Sequence, residues 1–151
     1  MGSYVALSEL KSALGITSST DDAFLTLAIG AAETAINDLC GRKFTADGAA
    51  SARIYRAQPY ICVTDDVSTL TGLVVKTDTN ADGTFDQTWA SSDYQVEPLN
   101  NLVKGRSVNN LRAVGDYLFP VYGDGLASVE VTAKWGWPAV PDPIEQATLM
   151  M

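Results

Sequence analysis

The sequence contains no histidine, the side chain that most often serves as a general base in enzymes and a frequent ligand of zinc. It also lacks a G-x-S-x-G segment, a glycine-rich phosphate loop followed by lysine, and a Cys-x-x-Cys pair. The adjacent carboxylates Asp21-Asp22 and Asp65-Asp66 point in different directions and are better explained as a helix start and a turn. We therefore expect a protein that is not an enzyme and needs no cofactor.

Basic residues are few and dispersed: ten Lys and Arg stand against 18 Asp and Glu, which gives a net charge of -8. They occur singly or in pairs, as at Arg42-Lys43, whereas a groove that grips phosphates needs a cluster. We expect no tight binding of nucleic acid, although DNA can pass an acidic surface without adhering. The two cysteines, Cys40 and Cys62, are expected to stay unpaired after cytosolic synthesis.

Long apolar runs are also missing, since none approaches the roughly 20 residues that span a bilayer. The first residues lack the basic and apolar regions of a signal peptide. With 46% hydrophobic and 19% charged residues, the 151-residue chain has an ordinary globular composition. These properties predict one compact domain, residues 1–151, without a membrane association.

Helical periodicity is confined to the first part of the chain. Leu7, Leu10 and Leu14 recur at three- and four-residue steps, and Gly15 supplies a helix stop. A second helix is predicted to start near Asp21-Asp22 and to end at Gly41. Its apolar stripe comprises Leu25, Ala28, Ile29, Ala32, Ala35, Ile36 and Leu39. The helical part is therefore expected to cover residues 1–44.

Strand patterns dominate residues 50–137. Short β-branched and aromatic runs lie at residues 53–55, 60–63, 73–76, 85–89 and 94–97. Strict alternation of apolar and polar residues makes residues 129–135 the clearest strand. Residues 99–127 contain four glycines and are predicted to be irregular and exposed. Two helices, a mainly antiparallel sheet and a closing helix predict an α+β fold.

The closing helix has a start signal but little length. Asp142 is predicted as its cap, Pro143 as its first residue, and Glu145 as the side chain that returns to the cap. Nine residues follow Asp142, fewer than the roughly 12 to 15 at which an isolated helix is marginally stable. Residues 142–151 therefore need a partner, which is the chain's own domain, further chain, or a neighbouring subunit.

Residues 78–86 read DTNADGTFD and match the first nine positions of a calcium loop. The candidate ligands are Asp78, Asn80, Asp82, Thr84 and Asp86. The twelfth position is Trp89 where a bidentate Glu is needed, and the flanking residues have strand patterns. Asn, Asp and Gly also suit the tip of a β-hairpin. A plain hairpin and a weak cation site both remain open.

Aromatic residues gather near the end of the chain. Strand alternation places Trp135 in the core, while Tyr117, Phe119 and Tyr122 lie in the glycine-rich segment. These three are either core residues or anchors of an interface.

Several ordered motifs together resemble a known family. They are YVALSELKSALGI at residues 4–16, the second helix with its Cys-Gly-Arg ending at residues 40–42, DYQVEP at residues 93–98, WGWP at residues 135–138, and the following Val140-Pro141 and Ile144. In this order and spacing they resemble the head-tail connector, or adaptor, proteins of long-tailed bacteriophages. The resemblance extends over nearly the whole chain.

The resemblance implies a structural subunit at the virion neck, made in the host cytoplasm. Such subunits typically form a twelve-membered ring that docks on the portal protein, extends the DNA channel and presents a surface to a stopper or other neck or tail protein. By resemblance, portal contacts are assigned to Asp142, Ile144, Ala147, Met151, Arg42 and Lys43. Contacts with neighbouring subunits or the stopper are assigned to Asp78, Asn80, Asp82, Asp86, Tyr117, Phe119 and Tyr122.

Family members usually continue beyond the position of Met151, so the native chain is expected to be longer and the closing helix truncated. The alternative function is a secreted, calcium-stabilised β-rich module that binds carbohydrate or protein through residues 78–86 and the aromatic side chains.

Overall fold

The structure is a computed structural model that describes residues 3–151. It forms two compact units: the first contains the described residues up to Ala46 together with Ala139–Met151, and the second is Asp47–Pro138. The helices are α1 (Leu7–Leu14), α2 (Asp22–Cys40) and α3 (Asp142–Met150). The strands are β1 (Ser51–Tyr55), β2 (Ile61–Thr77), β3 (Gln87–Trp89), β4 (Tyr94–Glu97), β5 (Val108–Ala113) and β6 (Val129–Trp135). The predicted α+β class is confirmed.

The first unit contains all three helices, with α1 and α3 both packed against α2. Gly15 and Gly41 follow α1 and α2 in the left-handed conformation, at φ 69° and 62°. Only glycine adopts this conformation without a steric penalty, so both predicted helix ends are confirmed.

The predicted apolar stripe of α2 is only partly buried. Ile29, Ala32 and Ile36 are buried, whereas Ala28, Ala35 and Leu39 are exposed. Two short helices cover one side of a 19-residue helix, and a pattern read from the sequence alone could not locate that side.

Helix α2 is also long and apolar enough to cross a membrane, with a mean hydropathy of 1.2. The sequence expectation concerned apolar runs of about 20 residues, and the criterion that α2 meets is one of length and mean hydropathy only. The alanines and leucines of α2 raise its hydropathy without forming an unbroken apolar run. Core helices of globular proteins meet the same criterion.

Helix α3 begins differently from the prediction. Asp142 is its first residue and Pro141 is the cap, with extended backbone angles of φ -69° and ψ 141°. Pro141 has no N–H group, so Glu145 cannot return a hydrogen bond to the cap. Backbone N–H groups of Ile144 and Glu145 instead donate to the Pro141 carbonyl.

The second unit is a six-stranded antiparallel sheet in the order β1-β6-β2-β5-β4, with β3 paired to β2. Strand β6 matches its predicted range, and its burial alternates residue by residue. Val129, Val131, Ala133 and Trp135 face the core. Trp135 donates its indole N–H to the Ser51 carbonyl at 2.9 Å, which joins β6 to the edge strand β1.

Two strand predictions need correction. The two strands predicted at residues 60–63 and 73–76 are one strand, the 17-residue β2, which begins at Ile61 and shifts its pairing register along its length. Asp65 and Asp66 lie within such an irregular stretch, so these turn-forming residues mark a bulge and not a chain reversal. Strand β5 was missed because its two asparagines have low strand propensity, which pairing on both sides overrides.

Candidate functional site

A hydrogen-bond network around Tyr4 organises the first unit. The Tyr4 hydroxyl donates to the Asn37 side-chain oxygen and accepts the backbone N–H of Phe44 at 2.8 Å. Ser3 and the backbone N–H of Tyr4 both donate to Glu33. The network ties the segment before α1 to the second half of α2. Tyr4 lies outside any helix or strand, so no periodic pattern in the sequence predicted its role.

Replacing Tyr4 by phenylalanine should lower the free energy of unfolding of this unit by about 2 kcal/mol. The backbone N–H of Phe44 and the side-chain oxygen of Asn37 would each lose the Tyr4 hydroxyl as a hydrogen-bond partner. Hydrogen exchange of α2 amides would measure this loss. Tyr60→Phe is the control, since that ring is 61% exposed. Equal protection of α2 in both variants would contradict the structural role of the Tyr4 hydroxyl.

The residues assigned to the portal by resemblance all lie in the first unit. Asp142 and Met151 are exposed, Ile144 and Ala147 are half-buried, and Thr148 is the buried position of α3. Helix α3 packs partly against α2. Met151, which directly follows the helix, is 73% exposed.

Arg42 and Lys43 follow α2, exposed and half-buried respectively, and each already has a partner within the chain. They share the first unit with α3. Their role at a portal interface stays a prediction.

Residues 78–86 form the loop of the hairpin between β2 and β3, in which Thr77 pairs with Gln87. The Asp78 side chain is buried beneath this loop. Its carboxylate accepts backbone N–H groups from Asn80 at 3.1 Å, Ala81 at 2.8 Å and Gly83 at 2.8 Å. Ala81 and Gly83 both have positive φ, at 62° and 82°. Asp78 therefore holds a strained loop in shape through its carboxylate.

Three other candidate cation ligands, Asn80, Asp82 and Thr84, also form hydrogen bonds within the loop. Asp82 accepts the backbone N–H of Thr84 at 2.7 Å and the side-chain amide of Asn80 at 3.0 Å. These hydrogen bonds, led by that from Thr84, lower the pKa of the Asp82 carboxyl. Among residues 3–151, no three His, Cys, Asp or Glu side chains group as a metal site needs. Hydrogen bonds among the loop's own residues therefore hold its conformation.

The three aromatic residues assigned to an interface have different environments. Phe119 is buried and stacks on Trp89, with ring centroids 4.5 Å apart and planes 3° apart. The Tyr122 hydroxyl donates to the Asp78 carbonyl at 2.6 Å. Tyr117 also contacts Trp89 but remains 42% exposed. Of the two alternatives for Phe119, the structure favours core packing, and its assignment to a subunit or stopper interface stays a prediction. The prediction that residues 99–127 are irregular and exposed was wrong in part, since they include β5 and the buried Phe119.

The family model for the Phage gp6-like head-tail connector protein matches residues 4–96, which include α1, α2 and strands β1 to β3. No curated protein matches the chain. A solved chain from "Neck of empty GTA particle computed with C6 symmetry" is similar in fold, with a TM-score of 0.60 and 18% identity. The similarity covers 95% of this chain and 73% of that one. Because the family model matches more than half of the sequence, the resemblance drawn from the motifs is confirmed, and the chain belongs to the phage gp6-like head-tail connector family.

Proposed function

We propose that the chain is a subunit of an oligomeric ring that docks on the portal protein and extends the DNA channel towards the stopper and tail. The family match over residues 4–96 is the observation that carries this proposal. The structural neighbour supports it, since that chain comes from the neck of a particle computed with sixfold symmetry. A twelve-membered ring, as the resemblance implies, is compatible with such symmetry.

The surface chemistry of the chain suits a channel component. Its net charge of -8 disfavours retention of double-stranded DNA, which must pass through a connector without being held. Synthesis in the host cytoplasm followed by incorporation at the virion neck completes the proposal. The family match favours this role over an exported, calcium-stabilised module.

The exposed end of α3 is the strongest candidate for the portal contact. Met150 and Met151 are 87% and 73% exposed, and methionine adapts its shape to a partner surface. Asp142 lies at the other end of the same helix, where the helix dipole stabilises a carboxylate. We assign Asp142, Ile144, Ala147, Met151, Arg42 and Lys43 to this interface.

Electron microscopy of the protein mixed with portal rings of the same phage tests the proposal. We expect a second ring on one end of the portal, and Met151→Glu should weaken its binding by about tenfold because a charge enters an apolar contact. Ser91→Glu, an exposed turn position in the second unit, is the control and should bind normally. Portal rings that stay bare at high protein concentration would refute the docking role.

A further inference from the structure

The connection between β4 and β5 carries an exposed group of residues that we call the basic tip, namely Val103, Lys104 and Arg106. It begins in the short 3-10 turn Leu102–Lys104. Leu102 packs against the core of the second unit. Val103 is 90% exposed, and Lys104 and Arg106 are exposed beside it. The turn is therefore anchored at Leu102 and presents one apolar and two positively charged side chains to solvent.

Hydrogen bonds fix the backbone of the basic tip. The backbone N–H groups of Lys104 and Arg106 each donate to the Asn101 carbonyl at 2.9 Å. The Asn101 side-chain amide donates to the Ser107 carbonyl at 2.9 Å, and the Ser107 hydroxyl donates to the Asp66 carboxylate at 2.7 Å. A backbone that is already ordered loses little entropy when a partner binds it.

The charges of the basic tip are not used within the chain. Six of the ten basic residues already have a partner in the same chain, namely Lys11, Arg42, Lys43, Arg53, Lys76 and Arg112. Of the other four, Lys134 is half-buried in β6, and the Arg56 guanidinium lies against Gly125. Within residues 3–151, Lys104 and Arg106 form no ion pair. Both are therefore available to an acidic partner outside their own chain.

The hairpin loop at residues 78–86 carries the complementary charge. Asp82 and Asp86 are exposed, and neither forms an ion pair with a basic residue in the described part of the chain. The hydrogen bond from Thr84 holds the Asp82 carboxylate and lowers its pKa, which keeps it charged. This loop and the basic tip belong to the same unit, and their charges do not pair within it. A pairing of these charges therefore joins two copies of the chain.

We propose that the basic tip of one copy binds residues 78–86 of the next copy, with Lys104 and Arg106 facing Asp82 and Asp86. The two surfaces are different, so the contact is head-to-tail, the kind that closes into a ring. It also offsets the repulsion between copies that each carry a net charge of -8. The inference rests on the proposed ring and identifies one contact between its subunits.

Carbodiimide cross-linking of the wild-type protein tests this contact directly. The reagent activates a carboxylate, which then forms an amide with an adjacent lysine amine, while the reagent takes up the water. An equal mixture of isotopically light and heavy chains shows by mass spectrometry which links join different copies. We expect a link between copies from Lys104 to Asp82 or Asp86, both on portal rings and in concentrated solution.

The cross-link separates this inference from the proposed function. Portals that carry a second ring without the link would overturn the inference and leave the docking role intact. The link in a protein that leaves portals bare would support the contact and refute docking. Bare portals without the link would overturn both.

Exchange of charge provides the second test. The double variants Lys104→Glu with Arg106→Glu and Asp82→Lys with Asp86→Lys move the net charge of -8 by four units in opposite directions, so both stay acidic. Each alone should associate with itself about tenfold or more weakly than wild type, because like charges meet at the contact. An equimolar mixture should restore association, since every contact between alternating copies is again between opposite charges. A mixture that associates no better than its components would overturn the inference.

The matched control is Asp116→Lys with Asp124→Lys, at exposed positions of two other turns. It changes the net charge as much as the variant of residues 78–86 and should associate with itself like wild type. A control that associates as weakly as that variant would contradict the contact. Weaker binding of double-stranded DNA by the variant of the basic tip, with self-association unchanged, would assign the tip to DNA and overturn the inference.

Discussion

Replacing Phe119 by alanine is expected to lower the free energy of unfolding of the second unit by about 3 to 5 kcal/mol, the usual loss for a buried phenylalanine. The ring is 2% exposed and lies face to face with Trp89. Its removal leaves a cavity and ends the stacking contact between the segment after β5, residues 114–127, and Trp89 of β3. The backbone N–H of Phe119, which donates to the Pro59 carbonyl, would lose its fixed position.

Urea unfolding followed by tryptophan fluorescence measures this effect, since all three tryptophans lie in the second unit. Tyr117→Ala is the control, because the neighbouring ring also contacts Trp89 but is 42% exposed. We expect a loss of about 1 kcal/mol for Tyr117, in keeping with a partly exposed aromatic pair. Similar losses for both variants would mean that residues 114–127 are not anchored through Phe119.

Local patterns predicted the elements whose stability depends on local geometry. Gly15 and Gly41 marked real helix ends, and the alternation of residues 129–135 located β6 and its buried face. Strand β5 contains two asparagines and exists because β2 and β4 pair with it on both sides. Pairing of this kind joins distant segments and leaves no periodic signal in β5 itself.

The candidate surfaces depend even more on contacts between distant segments, which local sequence patterns do not show. Residues 78–86 were recognised as polar and turn-forming, yet nothing in their pattern showed that Asp78 is buried. For α2, the sequence contained enough apolar residues for two faces, and only packing against α1 and α3 decided which face stays exposed. The resemblance to connectors identified the family, whereas the residues that contact portal, stopper or another copy depend on partners outside the chain.

Replacing Asp78 by alanine should destabilise the second unit by about 3 kcal/mol, because three backbone N–H groups lose a charged acceptor. Asp78→Asn should cost only about 1 kcal/mol. Its remaining oxygen still accepts from Asn80 and Ala81, while its amide group faces the N–H of Gly83. Asp86→Ala, at an exposed position of the same loop, is the control and should change stability little.

The same variants decide between the hairpin and the cation site. The Asp78 carboxylate already accepts three backbone N–H groups, which compete with a calcium ion for its oxygens, so we expect the urea midpoint of the wild-type protein to stay constant up to millimolar calcium. A bound ion would instead stabilise the fold by about 2.7 kcal/mol at 100 times its dissociation constant. Asp86→Ala would then lower the free energy of unfolding only when calcium is present, since Asp86 is a ligand only in the cation model. Because Asp78 supports the loop in both models, the response at Asp86 is the measurement that separates them.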